Sequence, residues 1–210
     1  MTPSSGSEPR GIWIAIDGPA GTGKSTTVAA VADLLIAGGQ SVHRTQQPSR
    51  SSLGTFIRTV LDSYDGYPLA CLLTADRYAH VQTEIQPALA AGLAVVCDRY
   101  VPSAALDLVR GVAPDVVWKL HAGLPPPDLM VLLTAPAQTA VARIGRRGSH
   151  SRWQCEAGNA DREVHAYDVA AEHLRDLGWP IIAIDTDVKQ PDEIARDVVA
   201  AVRSESRQRG

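Results

Sequence analysis

Gly18-Pro19-Ala20-Gly21-Thr22-Gly23-Lys24-Ser25 decides how this chain is read. The stretch satisfies the pattern G-x-x-x-x-G-K-[ST] at every position. Its glycines let backbone N–H groups curl around a phosphate without Cβ collisions. The helix expected to start here adds the positive end of its dipole. Lys24 supplies a mobile cation for the β- and γ-phosphates, and the Ser25 hydroxyl suits Mg2+. Gly18 to Thr26 is therefore expected to be a P-loop that takes ATP, with Gly18, Pro19, Ala20, Gly21, Thr22, Gly23, Lys24, Ser25 and Thr26 as the nucleotide-binding residues.

The flanking sequence supports that reading. Ile12 to Asp17 is a short apolar run ending at glycine, the pattern of a strand buried in a parallel sheet, and a helix is expected over Thr26 to Ala37. Further strands are expected at Ser41 to Thr45, Leu93 to Asp98, Asp128 to Thr134 and Pro180 to Asp185. Helices are expected at Leu53 to Leu61, Pro68 to Ala91 (kinked at Pro87), Ser103 to Arg110, Pro114 to Ala122, Pro136 to Arg147, Ala160 to Leu177 and Pro191 to Val202. Strands alternating with helices predict an α/β fold: a three-layer P-loop NTPase sandwich, with a five-stranded parallel sheet covered on both faces. Such sheets bind ligands at the carboxyl ends of their strands.

Composition narrows the function classes. A net charge of −3 argues against bulk binding to nucleic acid or anionic lipid. No apolar run approaches the roughly 20 residues that span a bilayer. Cys71, Cys97 and Cys155 are odd in number and widely spaced, which suggests neither a disulfide framework nor a zinc site; reduced cytosol is the expected compartment. Residues 1–10 read as a disordered leader, 11–203 as the kinase domain and 204–210 as a frayed tail. The six histidines and four tryptophans are scattered, so surface roles are expected for the former and packing roles for the latter.

Two further features point to phosphoryl transfer. Val95-Val96-Cys97-Asp98 is an apolar strand ending in an acid, which in P-loop proteins supports the metal, so Ser25 and Asp98 are the expected Mg2+ residues. Arg77, Arg99, Arg143, Arg146, Arg147 and Arg152 could converge on phosphate oxygens, which guanidinium groups grip in a bidentate fork. Arg143 is expected on the ATP side. Gly145 to Arg152, with glycine hinges and basic side chains, lies in an expected lid over about 145–158 that closes to exclude water. No Asn-Lys-x-Asp guanine-reading motif occurs, and the length is short for a motor-type ATPase.

Taken in order, these motifs resemble the thymidylate kinase family from about Ile12 to about Val202. Thr45-Gln46-Gln47-Pro48 stands where that family has Thr-Arg-Glu-Pro, and Leu72-Leu73-Thr74-Ala75-Asp76-Arg77 resembles its Leu-Phe-x-Ala-Asp-Arg helix. Ile85-Gln86-Pro87-Ala88-Leu89 with Gly92 and Asp98-Arg99-Tyr100 with Ser103 also match family signatures, as does Pro127-Asp128-Leu129. The resemblance implies a nucleoside monophosphate kinase using ATP and Mg2+, often a homodimer. It implies that Lys24, Asp98 and Arg99 act in catalysis together with the lid arginines Arg146, Arg147 and Arg152. Asp17, Gln46, Arg50, Leu73, Arg77, Arg99, Ser103, Asp107 and Tyr167 are the expected acceptor-site residues, and the resemblance implies that Arg77 and Arg99 face the acceptor phosphate.

The departures concentrate in that acceptor site. The arginine of Thr-Arg-Glu-Pro is Gln46, with Arg50 a candidate substitute; the aromatic that stacks on thymine falls at Leu73; and a tyrosine near the sugar is replaced by Asp107. An acid common inside the family's P-loop is Ala20. The phosphate machinery is kept while the acceptor pocket is rewritten. Thymidylate is the default acceptor. A different or modified nucleotide, a non-nucleotide metabolite, and a homologue that binds without turnover remain as alternatives.

Overall fold

The computed structural model describes residues 10–147 and 158–208. Five parallel strands form one sheet in the order β2-β3-β1-β4-β5: β1 Trp13–Asp17, β2 Val42–Gln46, β3 Ala94–Asp98, β4 Leu129–Thr134 and β5 Ile181–Asp185. β1 pairs with β3 on one side and β4 on the other, with Ile16 opposite both Asp98 and Val131. The sequence leaves β1 on one side and later resumes on its other side, so a crevice opens beyond its carboxyl end. The P-loop, Asp98 and Arg99 all lie there.

Strand alternation explains the two cores. Ile14, Ile16, Val96, Val131 and Leu133 face α1 (Lys24–Ala37) and α9 (Pro191–Gln208), packing on Val28, Val31, Leu35, Val198 and Val202. Trp13, Ala15, Val95, Cys97 and Met130 face the opposite layer with Val81, Ile85, Leu89, Tyr100 and Leu174. Each buried side chain of this size contributes roughly 1.5–3 kcal/mol. Trp13 meets Tyr100 edge-on, with ring centroids 4.8 Å apart. Tyr100 stacks in turn with Trp179, and Trp118 stacks on His173, so these three tryptophans pack as expected. Trp153 lies outside the described residues.

The remaining helices are α2 Ser52–Val60, α3 Gly66–His80, α4 Gln86–Ala90, α5 Ala105–Val109, α6 Pro114–His121, α7 Ala137–Arg147 and α8 Asn159–Asp176. The long helix expected over Pro68 to Ala91 is divided by a π-helical turn at Val81–Ile85, just before Pro87. Gln86 N–H donates to Val81 O, five residues back. In an α-turn the Pro87 ring would meet the carbonyl four residues back, and a π-turn at this place relieves that clash. The helix expected to begin at Ser103 starts as a 3-10 turn, Val101–Ala104, and only then becomes α5. Helix α9 continues to Gln208, past the expected end at Val202. The expected leader falls outside the described residues apart from Arg10, which pairs with Asp128 at 2.9 Å. Among the described residues, no helix is long and apolar enough to cross a membrane.

Candidate active site

The P-loop is a tight turn because three glycines take positive φ: Gly18 at 146°, Gly21 at 82° and Gly23 at 85°. Close approach adds a second reason at Gly21, where a Cβ would stand 2.5 Å from Ala140 O. Thr22 Oγ1 donates to Pro19 O at 2.8 Å and closes the loop on itself. Lys24 opens α1, and its Nζ folds back to donate to Gly18 O and Pro19 O, both at 2.7 Å. Burial pushes its pKa down to about 7, the Arg99 charge adds to that, and Asp17, Asp98 and Glu163 oppose it. Ser25 and Thr26 are exposed on the first turn, and Ser25 Oγ donates to Asp98 Oδ2 at 2.7 Å. Two adjacent hard oxygen donors suit Mg2+, which keeps several waters and takes further ligands from substrate phosphates. Among the described residues, no cluster of three or more His, Cys, Asp or Glu could hold a metal unaided.

Asp17 was expected at the acceptor; it is completely buried, and its carboxylate is bonded within the protein fold. Its Oδ1 accepts from Gly18 N and Tyr167 OH, and its Oδ2 from Tyr100 N and Ser103 N. Ser103 Oγ lies 2.9 Å and 2.8 Å from the two oxygens. Asp17 thus ties the P-loop, the β3 exit and α8 into one unit. Ser103 and Tyr167, also expected at the acceptor, are buried parts of the same hub, and burial lifts the Tyr167 hydroxyl well above its usual range. Arg99 alone of this group reaches outward. It holds a positive φ of 75°, and its Nη1 lies 3.4 Å from both Ser103 Oγ and Tyr167 OH.

The other expected residues fall into three places. Gln46 ends β2 half-buried, opposite Asp98 in the sheet register, while Arg50 is exposed on the following loop. That loop is clamped by Arg58 of α2, which donates to the carbonyls of Pro48, Ser49 and Gly54. Leu73 is half-buried and Arg77 buried, one turn apart on α3. Arg143 of α7 donates to Thr186 Oγ1 and Thr186 O at 2.9 and 2.8 Å, which bridges α7 to the loop after β5. Arg146 is exposed in the last turn of α7 and Arg147 ends it; most of the expected lid, with Arg152 and His150, lies outside the described residues.

Three residues of the site have no motif to reveal them. Glu163 of α8 is buried against the P-loop, and its Oε1 accepts from Ala20 N at 2.9 Å. Burial raises its carboxyl above the usual range. The one available signal was helical spacing, since Glu163 precedes Tyr167 by one turn. His80 and His121 were expected at the surface, and both are buried. His80 meets Thr45 Oγ1 at 2.7 Å, beneath the end of β2. His121 Nδ1 donates to Val117 O at 2.7 Å, so its bare Nε2 accepts from Arg77 Nη1 at 2.6 Å. Burial, then the Arg77 charge, pushes the His121 pKa down to about 3, in keeping with a neutral ring.

A family model described as "Thymidylate kinase" matches residues 16–190 of this chain. A "Probable thymidylate kinase" from Pyrococcus horikoshii is 31% identical over 205 residues, covering 93% of this chain and 98% of that protein. A "Thymidylate kinase" from Xanthomonas euvesicatoria is 35% identical over 175 residues, covering 80% of this chain and 77% of its own length. A "Probable thymidylate kinase" from Caldivirga maquilingensis is 28% identical over 201 residues, covering 93% and 95%.

Proposed function

The chain belongs to the thymidylate kinase family, and from that premise we propose that it transfers the γ-phosphoryl group of ATP to a pyrimidine nucleoside monophosphate. It is a nucleoside monophosphate kinase, a transferase. Thymidylate is the default acceptor in this reading, and the diphosphate and ADP are the products. A homodimer and a cytosolic setting belong to the same reading.

One observation carries the proposal: Lys24, the Ser25–Asp98 pair and Arg99 meet at the carboxyl end of β1 and β3. Lys24 Nζ now rests on two loop carbonyls, and a triphosphate would offer it stronger acceptors, drawing it off Gly18 O and Pro19 O. Ser25 and Asp98 would hold Mg2+, which when bound neutralises charge on the β- and γ-phosphates. Arg99, kept in place by Ser103 and Tyr167, would hold the acceptor phosphate in line with the γ-phosphate. The bond from the bridging oxygen to the γ-phosphorus breaks, a bond from an acceptor phosphate oxygen forms, and the leaving electron pair stays on ADP. Closure of the lid over 145–158, with Arg146, Arg147 and Arg152, would exclude water, and Arg143 with Thr186 would border the nucleotide.

The test is ADP release with ATP and Mg2+ across a panel of ribo- and deoxynucleoside monophosphates. Release that depends on one pyrimidine nucleotide supports the reading and names the acceptor. ATP binding with no release for any acceptor in the panel overturns it.

A further inference from the structure

His80 ends α3 with its side chain fully buried, and both ring nitrogens meet a neighbour. Nε2 lies 2.7 Å from Thr45 Oγ1 in β2, and Nδ1 lies 3.2 Å from Gln47 Nε2 just beyond that strand. Glu84, on the π-turn, completes the cluster. Its Oε1 accepts from Thr45 Oγ1 and, at 2.9 Å, from His43 Nε2, and its Oε2 stands 3.4 Å from His80 Nε2.

The donors and acceptors fix the direction of each bond. Burial works against the Glu84 charge, but hydrogen bonds from Thr45 and His43 outweigh it and hold the carboxyl below its usual range, so it only accepts. Thr45 gives its single hydroxyl proton to Glu84. His80 Nε2 must then carry the proton that Thr45 Oγ1 accepts, which leaves Nδ1 bare. Burial lowers the His80 pKa, in keeping with this neutral ring. The bare Nδ1 accepts from the amide NH2 of Gln47. Gln47 Oε1 is buried without a partner, so the bond to His80 is what sets the way this amide is turned.

The loop after β2 is tied from the same side. Asp76, one turn before His80 on α3, is buried, and its oxygens accept from Ser49 N and Ser49 Oγ, both at 2.6 Å. Gln47 N donates to Asp98 O at 2.9 Å. Gln47 thus joins His80 to the end of β3 and to a loop that starts from Gln46. Sheet order says which substrate that loop serves. The P-loop follows β1, and Arg143 with Thr186 lies beyond β5, so the ATP side of the crevice runs towards β5. β2 is the opposite edge. Of the residues expected at the acceptor, Asp107 is completely buried on α5, whereas Gln46 ends β2 and Arg50 is exposed on the loop after it. The P-loop is bonded to Asp17 and Glu163 instead.

We propose that His80 is a positioning residue: through the Gln47 side chain it sets the loop over residues 46–50, and with it the seat of the acceptor on the β2 side of the crevice. The proposal rests on the nucleoside monophosphate kinase reading. His80 touches no substrate. A shift of the loop costs acceptor binding and alignment and leaves the ATP side as it is.

Three substitutions separate the two sides of the ring. His80→Gln puts an amide nitrogen where Nε2 stands and keeps the Thr45 contact. His80→Asn puts an acceptor oxygen where Nδ1 stands and keeps the Gln47 contact. Gln47→Met keeps the length and removes the donor. The measurement is steady-state ADP release at varied ATP and at varied acceptor, taken as the nucleoside monophosphate that the unaltered protein uses best. His80→Gln and Gln47→Met should each raise the acceptor KM about tenfold, with the KM for ATP within about twofold. Combining them should add little further loss, because both break the same bond. His80→Asn should stay within about threefold of the unaltered protein. In the ligand-free proteins, the Gln47 and Ser49 amides should exchange hydrogen about tenfold faster in His80→Gln and Gln47→Met, with the P-loop amides unchanged. The proposal is overturned if the two KM values rise together, if the losses multiply in the double variant, if His80→Asn loses as much as His80→Gln, or if only the melting temperature moves. If the unaltered protein releases no ADP with any nucleoside monophosphate, the kinase reading fails by itself. Amide exchange then still decides whether His80 sets the loop, and unchanged exchange overturns that as well.

Discussion

Ser25 Oγ and Asp98 Oδ2 stand 2.7 Å apart, which joins the first turn of α1 to the last residue of β3. The two residues are 73 apart in sequence, and β3 pairs with β1, the strand that feeds the P-loop. Replacing Asp98 by Asn keeps the size and an acceptor oxygen but removes the charge that would favour a divalent cation. Asp98→Asn should lower kcat at least ~100-fold, equivalent to ~2.7 kcal/mol of barrier, and raise the Mg2+ concentration needed for half-maximal rate. Chelating the metal should abolish turnover in the unaltered protein. Turnover of Asp98→Asn within tenfold of the parent, at unchanged Mg2+ dependence, would remove Asp98 from the metal site.

Lys24 gives a prediction in pH. An unfolded chain keeps this ammonium charged up to the ordinary value of 10.5, whereas in the folded, ligand-free protein its pKa is pushed down to about 7. Between those values folding releases a proton, so Lys24 makes stability rise with pH across that window. Below it both states are charged and the full cost of burying the ammonium is present. Triphosphate binding would restore the charge, so ATP should take up a proton at pH 8–9 and progressively less towards pH 6. Calorimetry in two buffers of different ionisation enthalpy measures this directly. Lys24→Met should lose the proton uptake and nearly all turnover; an equal uptake in that variant would assign the proton elsewhere.

The Asp17 hub predicts a stability effect. An amide at this position would replace one acceptor oxygen by an NH2 group facing backbone N–H groups or hydroxyls that already donate. Asp17→Asn should therefore cost ~3 kcal/mol in urea unfolding, and Ser103→Ala, which removes the hydroxyl's bond to Asp17 and its contacts with Arg99 and Tyr167 but leaves the carboxylate served by backbone donors and Tyr167 OH, ~1 kcal/mol. Equal losses for the two variants would mean that Asp17 is not the centre of the network.

The fold was legible because parallel strands buried on both faces read as short apolar runs, and because the P-loop glycines are spaced by a phosphate's geometry rather than by the rest of the chain. Asp98 and Arg99 were legible for the same reason, being local to one strand end. Glu163 was not, since its value lies in a bond to Ala20, 143 residues away in sequence. His121 was not, because a buried histidine and a surface one look alike until α3 and α6 are packed together. Asp17 was read as an acceptor-site residue; nothing in the motif says that its carboxylate faces inward to Ser103 and Tyr167. The π-turn at Val81–Ile85 escaped for a different reason, since helical periodicity does not record one extra residue in a turn.

Gly21 and Gly23 form a matched pair for the last prediction. Both hold positive φ, 82° and 85°, so alanine at either carries a similar conformational penalty of about 1 kcal/mol. Their surroundings differ. A Cβ at Gly21 would stand 2.5 Å from Ala140 O on the α7 backbone, whereas at Gly23 nothing lies within 4 Å. Gly21→Ala should therefore lose ~3 kcal/mol, with the excess of ~2 kcal/mol coming from overpacking against α7, and Gly23→Ala only ~1 kcal/mol. Urea unfolding of the two variants measures the difference. If they lose the same amount, α7 yields to the added methyl, and the close seat of the P-loop against α7 is softer than the backbone contact at Ala140 implies.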